Sequence, residues 1–154
     1  MTPAELIAAC TSRGVTVATA ESCTGGMVAA ALTDVPGSSA VFLWGAVTYS
    51  NAAKRDMLGV SQVALAAHGA VSEQVARQMA EGARARSRAV LAVSITGIAG
   101  PGGSEFKPEG RVCFGLAGPD GTTVETVEFG ALGRYEVRRA ARDHALEMLQ
   151  AALP

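Results

Sequence analysis

The sequence predicts an α/β fold built on a mixed, mostly parallel sheet covered by helices on both faces. Three observations lead there. Short apolar, β-rich runs alternate with helical segments through the first two-thirds of the chain, the pattern of a parallel sheet between helix layers. Two runs joined by Gly118-Pro119-Asp120-Gly121 close that series as a hairpin, which adds antiparallel pairing. The 154 residues are 49% hydrophobic, enough for one packed core and short for two, so residues 1–154 read as a single domain.

The elements follow in order. Thr2-Pro3-Ala4-Glu5 starts a helix: Thr2 can cap, Pro3 suits the first helical position and Glu5 completes a capping box. Leu6, Ile7 and Cys10 share its inner face and Gly14 ends it. Val15 to Ala20 is a buried strand, and Thr24-Gly25-Gly26 opens a second helix to about Thr33. Val41 to Thr48 is a second strand, followed by a helix from Asn51 to Leu58 that stops at Gly59. Ser61 and Ser72 are N-caps for helices over Gln62–Ala67 and Glu73–Arg86. Val90 to Ile95 is a third strand, and residues 97 to 110 form a long Gly/Pro-rich loop. Arg111–Ala117 and Thr122–Phe129 are the hairpin strands. The last helix runs from about Arg134 to Ala152, with Val137, Ala141, Ala145 and Leu149 along one face.

Bulk properties narrow the function. The formal net charge is −1 and no long basic run occurs, which argues against a nucleic-acid partner. Arg84, Arg86 and Arg88 fall where a helix ends, a place that suits cations. Cys10, Cys23 and Cys113 are far apart with no C-x-x-C, so neither a disulfide framework nor a metal site is expected. No apolar run of about twenty residues and no basic leader occur, so no membrane span is expected. The default compartment is a reducing cytoplasm.

Ligands of open α/β sheets bind beyond the carboxyl ends of the parallel strands. Three polar or glycine-rich segments converge there: Glu21-Ser22, Thr48-Tyr49-Ser50, and Thr96-Gly97 entering the loop. Ser22 lies between a strand and a helix start, where unpaired N–H groups of the Cys23–Gly26 backbone would face an oxyanion. Ser22 as nucleophile and Ser22 or Thr24 as a mere N-cap are both open on position alone. A serine nucleophile needs a base. His68 sits near a turn and His144 on an exposed face of the last helix, which leaves Lys54. A lysine serves as base if desolvation lowers its pKa, although most helical lysines are solvated. Cys23 beside the helix start is the rival nucleophile. The loop through Gly97 and Gly100 could cradle a phosphate, but it lacks both the Walker A ending and a strand–G-x-G-x-x-G–helix layout.

At these residues the sequence resembles the C-terminal domain of the competence/damage-inducible protein CinA, a family that also occurs alone as nicotinamide mononucleotide deamidase. The resemblance covers nearly the whole chain. It rests on Ala20-Glu21-Ser22-Cys23-Thr24-Gly25-Gly26, Val47-Thr48-Tyr49-Ser50-Asn51 with Lys54, and Gly69-Ala70-Val71-Ser72. Thr96 to Pro101 with Lys107-Pro108-Glu109-Gly110, and Gly133-Arg134 with Arg138, complete it. The resemblance implies a three-layer α/β/α sandwich of about five strands. It implies hydrolysis of the carboxamide of a small-molecule mononucleotide, with no metal and no organic cofactor. By position, Ser22 would be the nucleophile, Lys54 its base and Tyr49 the orienting partner. Thr24, Gly25, Gly26, Thr96, Gly97, Gly100 and Arg138 would bind substrate, Arg138 through the phosphate. The family pattern often places an acidic residue between the Gly and Arg of the last motif. Gly133 and Arg134 are adjacent here, so the register leaves Arg134 or Arg138 as the phosphate ligand. A non-catalytic nucleotide-binding domain and a partner of DNA-uptake machinery are the other classes of function. A homo-oligomer is left open.

Overall fold

The computed structural model describes residues 1–154. Helix α1 spans Pro3–Arg13 and has the expected capping box: the Glu5 N–H donates to Thr2 Oγ1, and the Thr2 N–H to the Glu5 carboxylate. It ends at Gly14 with a left-handed φ of 65°. Strand β1 spans Val17–Glu21 and helix α2 Met27–Thr33. A 3-10 turn over Ser38–Ala40 leads into β2, Phe42–Val47. Helices α3 (Asn51–Leu58), α4 (Gln62–His68) and α5 (Glu73–Ser87) follow, each capped by the serine before it, Ser50, Ser61 and Ser72. Strands β3 (Leu91–Gly97), β4 (Arg111–Gly118) and β5 (Gly121–Glu128) precede α6, Arg134–Ala151.

The five strands form one sheet in the order β2-β1-β3-β4-β5. β1 lies parallel to both β2 and β3, and β3-β4 and β4-β5 are antiparallel. The sheet is mixed, as expected: four strands point one way and β4 alone runs against them, the closing hairpin supplying both antiparallel ladders. Side chains alternate across it with a period of two. Val17, Leu91, Val93 and Ile95 face the helices α1, α2 and α6, where Leu6, Ile7, Leu32, Val137 and Leu149 complete the larger core. Ala18, Ala20 and Ala92 face α3, α4 and α5, where Leu58, Leu65, Val75 and Met79 pack.

The two faces differ in how closely helices approach. The α5 face carries alanine and glycine where the other carries Val, Ile and Phe. A Cβ at Gly82 of α5 would stand 2.0 Å from the Leu58 carbonyl oxygen of α3, and one at Gly115 of β4 would stand 2.5 Å from the Ala76 oxygen of α5. Glycine at both positions lets backbone meet backbone. α3 thereby sits deep on α5, which fixes the height of the side chains α3 sends toward the sheet edge.

Two expectations are corrected. Helix α2 begins at Met27, not Thr24, because Gly25 and Gly26 both adopt left-handed φ values, 59° and 105°, that no α-helix holds. His144 is not on an exposed face. It is half-buried against Phe114, with ring centroids 4.5 Å apart, and its Nε2 meets the Glu125 carboxylate of β5. No helix is long and apolar enough to cross a membrane.

Candidate active site

The carboxyl ends of β1, β2 and β3 converge as the parallel-strand rule requires. Ser22 follows β1 directly and is held from both sides. Its N–H donates to the Ile95 carbonyl of β3 at 2.9 Å, while the Glu21 carbonyl accepts from the Thr48 N–H at 2.8 Å. Glu21 is buried, and its carboxylate turns back to accept from the N–H groups of Gly26, Val28 and Ala29 at 3.2, 3.0 and 3.0 Å. A carboxylate at a helix N-terminus satisfies donors that would otherwise be orphaned. The α2 N-terminus is therefore not free to receive an oxyanion. The N–H of Cys23 is, because it donates to no other residue.

Lys54 sits in the first turn of α3, one turn before the buried Leu58 on the same inward face. It is 1% exposed. Its Nζ lies 2.9 Å from Ser22 Oγ, 2.8 Å from the Thr48 oxygen and 3.2 Å from the Tyr49 oxygen. Burial lowers its pKa from 10.5 to about 8; the charges of Cys23 and Glu105 oppose that fall. Cys23 contributes little of this opposition near neutrality, because burial pushes its own thiol up to about 12. That burial also removes the thiolate a cysteine nucleophile requires.

Nζ thus faces three acceptors, the number an ammonium can donate to. Loss of one proton would leave two donors for the Thr48 and Tyr49 carbonyls and a lone pair toward the Ser22 hydroxyl.

Ser22 and Lys54 form the floor of a cavity of about 290 Å³, at the lower end of the ~300–1,000 Å³ typical of small-molecule sites. Its walls are Tyr49, Ala70 and Val71, the loop from Thr96 to Glu105, and Arg134. Gly97 and Gly100 lie on the wall. Thr96 reaches it too, but its hydroxyl donates to the Ala70 carbonyl at 2.9 Å. Thr24, Gly25 and Gly26 stand behind the wall, in the turn.

The two arginines of α6 divide. Arg138 Nε donates to the Cys23 carbonyl at 3.0 Å and its second nitrogen to the Thr24 carbonyl at 3.3 Å, so it props the turn from behind. Arg134 lines the cavity, donating to the Gly100 carbonyl and to Tyr49 Oη, each at 2.7 Å. Sequence reasoning attached no role to Glu21, Glu105 or Glu109. Glu109 accepts from the N–H groups of Gly102 and Gly133, tying the loop to the start of α6. Lys107 donates to the His68 and Val71 carbonyls and anchors the other end of the loop. The charged residues inside a Gly/Pro-rich loop were the available signal, since a solvated loop has no need of them.

The model of the CinA C-terminal domain matches residues 2–153. The chain belongs to the CinA C-terminal domain family. A nicotinamide-nucleotide amidohydrolase, PncC of Escherichia coli K12, is 55% identical over 90% of this chain and 84% of that protein. A CinA-like protein of Anaeromyxobacter dehalogenans is 55% identical over 98% of this chain and 37% of its own length. The chain thus spans about a third of the first curated relatives it matches, 34% to 37%. Among solved structures, the competence/damage inducible protein CihA of Agrobacterium tumefaciens superposes with a TM-score of 0.93 at 52% identity, covering 97% of this chain and 92% of that one. The competence damage-inducible protein A (ComA) of Klebsiella pneumoniae has a TM-score of 0.93 at 37% identity, covering 99% and 98%.

Proposed function

We propose that this chain hydrolyses the carboxamide of nicotinamide mononucleotide to nicotinate mononucleotide and ammonia, by a serine nucleophile with a lysine base. The observation that carries the reading is the buried Lys54 amine, 2.9 Å from Ser22 Oγ at the floor of a mononucleotide-sized cavity. The 55% identity to a nicotinamide-nucleotide amidohydrolase supports the substrate.

The steps follow from the groups present. Neutral Lys54 takes the Ser22 hydroxyl proton as Oγ bonds to the carboxamide carbon. The carbonyl π electrons move to oxygen, and that oxyanion accepts from the N–H of Cys23, which lines the cavity. The C–N bond then breaks, and the Lys54 ammonium returns its proton to the departing nitrogen, which leaves as ammonia. A water molecule, deprotonated by Lys54, attacks the acyl-serine; Ser22 leaves with that proton, and nicotinate mononucleotide is released. Arg134 would bind the phosphate from the rim and Arg138 would hold the turn. This exchanges the roles that the resemblance implied for Arg138.

The test is ammonia release from nicotinamide mononucleotide by the purified chain and by Ser22→Ala. Release by the chain and its loss in Ser22→Ala are expected. Undiminished release by Ser22→Ala would sink the mechanism, and no release by the chain would sink the activity.

A further inference from the structure

One charge on the pocket wall has no part in these steps. Glu105 lines the same cavity as Ser22 and Lys54, yet its carboxylate joins none of the ion pairs of the chain. Lys107 stands beside it, but the Lys107 ammonium is spent on the His68 and Val71 carbonyls. The placement of Glu105 is built in. Glu105 and Phe106 form a two-residue turn between Ser104 and Lys107, which exchange N–H···O bonds of 3.0 and 2.8 Å. Both turn residues take left-handed φ values, 51° and 64°, a region that disfavours side chains other than glycine. Gly69, at φ +75°, makes room: a Cβ there would lie 2.6 Å from Glu105 Oε2.

The rim therefore holds a fixed anion, Glu105, and a fixed cation, Arg134, above a floor where Ser22 attacks. The ligand that matches is a zwitterion. In a 3-carboxamide pyridinium nucleotide, the ring cation lies meta to the carbon under attack and the phosphate lies beyond the ribose. With the carboxamide on Ser22, the ring would lie between the floor and Glu105 and the phosphate would reach Arg134, since all of these residues line the one cavity.

Resting on the carboxamide-hydrolysis reading, we infer that Glu105 determines specificity by sensing the positive ring. The site would then take quaternary pyridinium nucleotides in preference to neutral pyridine amides or neutral dihydropyridine nucleotides. No bond is made or broken at its carboxylate.

The experiment compares two ligands that differ in ring charge: nicotinamide mononucleotide and its reduced dihydro form. Both keep the ribose, phosphate and carboxamide. Calorimetric Kd values are measured at low salt in the Ser22→Ala chain, to prevent turnover, with and without Glu105→Gln. The expected result is that Glu105→Gln weakens the pyridinium ligand about five-fold, the reach of a partly exposed charge pair. The dihydro ligand should change by less than about two-fold. An unchanged ratio between the ligands, or equal weakening of both, overturns the inference. Absence of binding by either ligand to Ser22→Ala also overturns it. Ammonia release by the unaltered chain is measured alongside. Its failure would defeat the hydrolytic reading alone, because the ratio of Kd values still decides the part of Glu105.

Discussion

Ser22 and Lys54 at the floor of the cavity are 8% and 1% exposed, whereas Tyr49 at its rim is 56% exposed and Arg134 and Glu105 stand in solvent. The floor sets its lysine apart from water, and burial lowers its pKa to about 8, so that the neutral amine is populated at a lower pH than in water. The rim leaves its charges hydrated. The separation predicts that floor substitutions act on kcat and rim substitutions on KM.

The largest effect is expected from Ser22→Ala, which should lower kcat by about a thousandfold or more, as loss of a nucleophile does. Single-turnover ammonia release checks it, with circular dichroism to show the fold intact. Lys54→Met should follow, losing about a hundred- to ten-thousandfold in kcat. Lys54 also gives the comparison a pH signature. Because the neutral amine is the active form, kcat/KM should rise with pH through about 8 and then level. The same depressed pKa affects stability. Between about 8 and 10.5 an unfolded Lys54 binds a proton that the folded one has released, so the Lys54 contribution to stability rises with pH across that window, while the raised thiols of Cys10, Cys23 and Cys113 act the other way above about 9. Thermal melts check the sign: the stability of the chain relative to Lys54→Met should rise with pH.

Arg138→Gln ranks next. Without its two bonds to the Cys23 and Thr24 carbonyls the turn loosens. The expected loss is about ten-fold in kcat with KM little changed, from misplacing the oxyanion donor. Arg134→Gln should do the reverse, raising KM about five- to ten-fold at constant kcat, as removal of a charge-assisted contact does. Rising salt should reproduce part of that effect in the unaltered chain and leave kcat alone. Equal effects of the two arginine variants on kcat would erase the division between floor and rim.

Much of this was legible in the sequence. Thr2, Ser50, Ser61 and Ser72 marked helix starts because capping is a contact over three residues. The convergence of Ser22, Tyr49 and Thr96 followed from strand order. What stayed hidden depended on distance through space. Glu21 reaches N–H groups five to eight residues ahead, beyond any local pattern. The burial of Lys54 needed the position of α3 on α5. His144 looked solvated because its helix periodicity favours Ala141 and Ala145, yet the hairpin brings Phe114 and Glu125 up against it. Arg134 and Arg138 lie one turn apart on one helix, and only the packing of α6 decides which one faces the cavity.

Gly82 shows how far the site extends. No atom of it lines the cavity. Yet the missing methyl group lets Leu58 of α3 settle against it, and Lys54 rides on the same short helix four residues earlier. Any side chain at position 82 would lift α3 and carry the Lys54 amine away from the Ser22 hydroxyl. A screen of variants scored on ammonia release would then group Gly82 with Ser22. Its lesion would be one of leverage, a lengthened arm between an intact serine and an intact lysine.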